Sequence, residues 1–237
     1  METQARPGQA PTGDGSSALS RERGPRDINA LLARGYQVET CRNCHNAVID
    51  VEGTARGIDE SLARLELGGR LRAKEGGRLL YHHLFRVAIA GCPNSCSQPQ
   101  IKDFGVQGRS RPEITAEECS HCGLCEAACD EAAVRVGAEG PVIDTSLCVQ
   151  CEQCARVCPT GTIVAARRGS LVLAGGKLGR HPQLARTVAD MVTPEEAAVL
   201  AVRAAEIYVT RGAPGERFGC ILNRLGVGVL QEQESGS

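Results

Sequence analysis

Of the 13 cysteines in this chain, twelve fall into groups whose spacing could hold metal. Two sets, Cys119, Cys122, Cys125, Cys129 and Cys148, Cys151, Cys154, Cys158, share the spacing C-x2-C-x2-C-x3-C. At that spacing three thiolates wrap one face of an iron–sulfur cube, and the fourth cysteine reaches across to a second cube. The crossed assignment gives Cys119, Cys122, Cys125 and Cys158 to one [4Fe-4S] cluster. Cys148, Cys151, Cys154 and Cys129 then hold the other. Zinc knuckles and a disulfide scaffold are the competing readings, but zinc takes four ligands per site and has no use for a doubled, interlocked pattern.

Four more thiols form two pairs. Cys41 and Cys44 are spaced C-x2-C, which by itself fits a redox dithiol, a zinc knuckle or half of a cluster site. Cys92 and Cys96 lie in Gly91-Cys92-Pro93-Asn94-Ser95-Cys96, where a glycine lets the backbone turn sharply at a strand end and the x3 spacing places both thiolates on one side of the turn. Together the pairs supply the four ligands of a third [4Fe-4S] cluster. A closed four-thiolate zinc site is the rival. Cys220 is left over and reads as a small core residue.

The elements that position these thiols follow from periodicity. Asp27 caps a short helix to Arg34, and Ile58, Leu62 and Leu65 share one face of a helix that Gly68-Gly69 ends. Residues 70–78 (Arg70, Arg72, Lys74, Arg78) read as a basic loop, either solvated or lining a site for an anion. LFRVAIA over 84–90 reads as a buried strand running into the Cys92 turn, IKDFGVQG over 101–108 as a second strand and SLVLA over 170–174 as a third. Thr193-Pro194-Glu195-Glu196 is a capping box opening a helix with Ala198, Ala201, Val202, Ala205, Tyr208 and Val209 on one stripe, ended by Gly212. A last helix spans about 215–225.

Composition excludes several classes. Aromatic residues are 3% of the chain with no Trp, so base stacking has little to work with, and a net charge of −1 leaves no electrostatic footprint for nucleic acid. No apolar run approaches the roughly 18 residues of a membrane span. The N-terminal residues lack the apolar core of a secretory signal. Thirteen cysteines, twelve of them in cluster-type groups, point to a reducing cytoplasm.

Residues 112–168 resemble a bacterial-type two-cluster ferredoxin, an internal repeat of about 29 residues. The chain departs from that pattern at Asp130, where the usual motif has proline. The stretches GCPNSC–PQIKDFGVQG and SLVLAGGKLGRHP, which flank this module, resemble the nitrite/sulfite reductase iron–sulfur domain, most of all the anaerobic and dissimilatory-type sulfite reductase subunits with an inserted ferredoxin. The resemblance implies that Cys92 and Cys96 are cluster ligands, that Cys96 bridges the cluster to a sirohaem, and that Lys177 and Arg180 face the sirohaem carboxylates or a sulfite or nitrite anion. The chain departs from the family by its C-x2-C first pair, where C-x5-C is usual. A preceding half-domain also has no counterpart in residues 1–40, so a sirohaem pocket would need a partner or second copy.

The expected fold is α+β: a nitrite/sulfite reductase-like mixed sheet with helices over 27–111 and 169–230, carrying the two-cluster module at 112–168 between Gly/Pro/Ser-punctuated junctions, with disordered tails at 1–26 and 231–237. The expected function is electron transfer through two ferredoxin clusters to the third, serving a redox partner or catalytic subunit. The alternative is a sirohaem subunit that itself reduces the oxyanion.

Overall fold

The computed structural model describes residues 27–231 except Asn43. The expected tails therefore lie outside the described residues, apart from Gln231. The polypeptide forms helix α1 (Ile28–Arg34), strand β1 (Tyr36–Thr40), helices α2 (Val51–Ala63) and α3 (Leu67–Lys74), and strands β2 (Phe85–Ala90) and β3 (Phe104–Ile114). The module follows with α4 (Leu124–Ala127), β4 (Val134–Gly137), β5 (Gly140–Ile143) and α5 (Gln153–Val157). The chain returns through β6 (Ile163–Ala174) and β7 (Arg186–Val192) to α6 (Pro194–Arg211) and α7 (Phe218–Leu225).

Five strands make one mixed sheet in the order β1-β2-β3-β6-β7. The first three run parallel, whereas β6 is antiparallel to β3 and to β7. Helices α2 and α6 lie side by side on this sheet, α2 over β1 and β2, α6 over β3 and β6. Their apolar stripes explain the arrangement. Ile58 and Leu62 of α2, and Ala201, Ala204, Ala205 and Tyr208 of α6, are all buried against Val87, Phe104 and Val172 of the strands. Phe85, Tyr208 and Phe218 form an aromatic triad, with ring centroids 5.6 to 6.1 Å apart. The Thr193 capping box is present in full, each side chain accepting the other's backbone N–H.

Several local expectations are corrected. The helix around Ile58 begins earlier and stops at Ala63, and Gly68-Gly69 sit inside a second helix, α3, instead of ending the first. Gly68 is needed for packing: a Cβ there would stand 1.8 Å from the Ala33 carbonyl oxygen of α1. The basic stretch 70–78 is thus largely helical, with Arg70 forked onto Glu206 and Lys74 lying 4.0 Å over the Tyr208 ring. Edge strands β1 and β7 went unforeseen. Helix α7 starts at Phe218, later than expected, and Cys220 on it is half-buried instead of enclosed.

The strand pair β3–β6 positions the module. It runs continuously from Phe104↔Ala174 to Ile114↔Ile163, with one irregularity between Arg111 and Pro112, where proline cannot donate to the ladder. The expected junctions at 108–112 and 168–170 lie inside these strands, so the module rides on the end of a two-stranded ribbon that is also the centre of the sheet. No helix among the described residues is long and apolar enough to cross a membrane.

Candidate metal centres

The first group of thiols is closed by backbone turns. Cys119, Cys122, Cys125 and Cys158 line one small pocket, with Pro141, Thr162 and Ile163 among its other walls. Cys158 comes from the far half of the repeat, so the crossed grouping read from the spacing is also the spatial one. Burial pushes the Cys158 thiol up, but the Ile163 N–H at 3.4 Å, the Thr160 hydroxyl and neighbouring backbone N–H groups outweigh it and hold its pKa at about 7. The Cys122 pKa is lowered by the Leu124 N–H and the Ser120 side chain. Such N–H···S contacts favour the thiolate, the form that binds iron.

The second group, Cys129, Cys148, Cys151 and Cys154, lines a larger crevice that opens between the module and the sheet. Cys154 is the most enclosed of the four, and burial pushes its pKa up to about 11, so metal binding must displace its proton. Burial also raises Cys148, partly opposed by the Gln150 N–H and by the Arg109 guanidinium.

The third group is assembled by the sheet. Strands β1 and β2 pair in parallel from Tyr36↔Phe85 to Thr40↔Ile89, so their C-terminal ends emerge together, Cys41 after one and Gly91-Cys92 after the other. The Cys41 N–H donates to the Ile89 carbonyl at 2.9 Å, and the Gly91 N–H reaches the Cys41 sulfur at 3.2 Å. Gly91 owes its identity to close approach, not to a positive φ. A Cβ there would meet the Ala47 and Val51 side chains at 2.8 Å each. Cys41, Cys44, Cys92 and Cys96 act on one another electrostatically: Cys41 feels Cys96 and Cys44, and Cys92 feels Cys44, Cys41 and Cys96, on top of the burial that raises both pKa values. The Asn94 amide donates to the Cys96 sulfur at 3.2 Å.

Among the described residues, no three Cys, His, Asp or Glu side chains converge on a single-ion point. A zinc ion draws four sulfurs to about 2.3 Å from one centre. The donor set of each group, four cysteines, is one that a [4Fe-4S] cluster takes.

The crevice of the second group is also lined by Cys92, Asn46 and Asn94, so the second and third groups face each other. Their junction is densely bonded. The Ser110 N–H on β3 donates to the Gln150 carbonyl at 2.9 Å, Gln153 donates to the Asn46 side chain at 2.8 Å, and Arg156 donates to the Ala47 carbonyl at 3.1 Å and to that of His45. The Gln107 amide reaches the Pro93 carbonyl and the Ser95 hydroxyl in the Cys92–Cys96 turn, while Arg109 donates to the Gln107 side-chain oxygen at 3.1 Å. Sequence reasoning missed these polar residues. One signal was available: in the repeat, Glu152-Gln153 stands between cysteines where the other half has Gly123-Leu124.

Lys177 and Arg180 sit apart from the thiol groups in chain and in bonding. Lys177 is buried and its ammonium donates to the His181 carbonyl, closing the glycine-rich turn through an antiparallel bridge to Gln183. Arg180 is exposed.

A model of the "Nitrite and sulphite reductase 4Fe-4S domain" matches residues 38–235. The chain is 26% identical over 139 residues, 59% of its length, to the coenzyme F420-dependent sulfite reductase of Methanocaldococcus jannaschii, of which it spans 20%. It is 43% identical over 54 residues, 20% of its length, to 88% of a ferredoxin from Chlorobaculum thiosulfatiphilum. A crystal structure of dissimilatory sulfite reductase I superposes with a TM-score of 0.53 at 18% identity, covering 83% of this chain and 52% of that one, a likeness of fold.

Proposed function

Because the chain belongs to the nitrite and sulphite reductase 4Fe-4S domain family, we propose that this iron–sulfur protein carries electrons through two ferredoxin-type [4Fe-4S] clusters to a third in a sulfite- or nitrite-reducing system. Cys119, Cys122, Cys125 and Cys158 would hold the first, Cys129, Cys148, Cys151 and Cys154 the second, and Cys41, Cys44, Cys92 and Cys96 the third. When bound, the clusters supply one-electron transfer without bond making. The chain's own residues enclose them, donate hydrogen bonds to their thiolates and fix their separation.

The observation that carries this reading is the shared crevice, whose lining includes Cys92 of one group and all four thiols of another. Its counterpart is the surface position of the first group, whose Cys122 is exposed and open to an electron donor. The cluster-type spacing of twelve of the 13 cysteines supports a reducing cytoplasm as the working compartment, and a redox protein or catalytic subunit as the partner.

A second reading, that the chain itself reduces the oxyanion at a sirohaem, is favoured by the exposure of Cys96 at the third group, where it could bridge to a further iron. In that reading Lys177 and Arg180 would face the anion, Lys177 with the N–H groups its His181 contact leaves free. One experiment separates the two. Anaerobically purified protein is reduced with dithionite, freed of excess reductant, and offered either a one-electron acceptor protein or sulfite and nitrite. Electron-transfer function predicts prompt reoxidation by the acceptor, with the oxyanions unconsumed and no tetrapyrrole absorption. Sulfite or nitrite consumption accompanied by a sirohaem spectrum would replace this reading with the second.

A further inference from the structure

The internal repeat exposes one residue that does more than hold a metal. Gly123 and Glu152 occupy equivalent places, each directly after the second cysteine of its set, and share nearly identical backbone angles: φ 73°, ψ 0° for Gly123 and φ 73°, ψ −2° for Glu152. Glycine takes that left-handed conformation freely, whereas a glutamate is strained in it. The carboxylate is held all the same. Its side chain is 3% exposed, Arg168 of β6 forks onto it at 2.6 and 2.8 Å, and Arg156 binds it at 3.1 Å. Arg156 then extends to the carbonyls of His45 and Ala47, in the loop that follows Cys44. A carboxylate between two guanidiniums thus links three parts: the turn carrying Cys151 and Cys154, the central ribbon and the Cys41–Cys44 loop.

We propose that Glu152 is a positioning residue that locks the second cluster-binding loop against the third, acting through Arg156 and Arg168 to fix the distance electrons cross between them. The inference rests on the three-cluster reading above. It explains why the second half of the repeat uses a strained glutamate where the first uses glycine. The pocket of the first group has no residue of the third group in its lining and needs no such lock; the second must be registered on the sheet.

The test uses the full chain, purified anaerobically, in three forms: wild type, Glu152→Gly and Arg156→Met. Glu152→Gly restores the residue the repeat uses elsewhere, so it relieves strain while removing the lock. Arg156→Met keeps the Glu152–Arg168 pair and cuts only the arm to His45 and Ala47. Iron content is measured first; a wild type lacking three clusters' worth of iron would defeat the underlying reading, independently of the lock. With iron intact, dithionite-reduced wild type is expected to show magnetic interaction between two clusters in its EPR spectrum, and both variants to lose or weaken it. Hydrogen exchange at the Ala47 and Val48 amides is expected to accelerate about fivefold in Arg156→Met, the size of one lost hydrogen bond. Arg156→Met with full iron, an unchanged interaction spectrum and unchanged exchange at those amides would overturn the proposal.

Discussion

Cys154 and Cys158 mark two ways of preparing a sulfur for iron. Cys154 is buried and holds its proton until metal displaces it, whereas Cys158 is surrounded by hydrogen-bond donors that favour the thiolate beforehand. Because the two belong to different groups, replacing either should cost a different cluster. Cys158→Ser is expected to lower iron by about four atoms per chain and to remove one reduced-state EPR signal, leaving the signal that depends on Cys154 in place. Loss of the Cys154-dependent signal instead would contradict the crossed grouping. Arg109 acts on the same centre by charge, through its attraction for the Cys148 thiolate and its bond to Gln107. A cation there favours the more negative, reduced state. Arg109→Gln should therefore lower the midpoint potential of one cluster while the others stay put, read by EPR-monitored redox titration; three unmoved potentials would exclude the effect.

At the scale of elements, the thiols depend on a sheet whose rigidity comes from packing far from them. Phe218 of α7 is fully buried in the triad with Phe85, at the start of β2, and Tyr208. Truncating it to alanine opens a cavity beneath the strand that ends in Gly91-Cys92, and should cost about 3–5 kcal/mol in a chemical denaturation curve. His83, next to β2, adds a pH dependence. Burial lowers its pKa below 6.5, against the pull of Glu75, and its Nδ1 accepts the Leu80 N–H at 3.3 Å, which requires that nitrogen unprotonated. The unfolded chain therefore binds the proton more readily. The stabilisation is fully present above pH 6.5 and is lost as pH falls through the lowered folded value. His83→Asn keeps an acceptor but does not titrate, so its denaturation midpoint should fall less than that of the wild type between pH 7 and pH 5; parallel curves would show that His83 contributes nothing. These elements also show what the sequence could disclose. The cysteine groups, the Thr193 cap and the buried strand before Cys92 were legible because spacing, capping chemistry and a continuous apolar run are local signals. Strands β1 and β7 were not, because YQVET and RTVADMV are polar edge segments whose pairing is decided by neighbours distant in the chain. The Glu152 lock was hidden for the same reason: its partners Arg168, His45 and Ala47 meet it only in the fold.

For the whole molecule, the ribbon β3–β6 is both the centre of the sheet and the stem of the ferredoxin-like module, so the two cannot move independently without breaking the ladder from Phe104↔Ala174 to Ile114↔Ile163. The protein thereby holds two thiol groups in the module, the second of which shares a crevice with Cys92 of the third group at the ends of parallel strands. Everything in this arrangement depends on the third group holding a cube, since Cys41, Cys44, Cys92 and Cys96 would otherwise close around zinc and end the route at the module. Metal content of the anaerobically purified full chain tests that dependence directly. Three cubes predict about twelve iron per chain with no stoichiometric zinc, whereas about eight iron with one zinc would contradict the account at its centre.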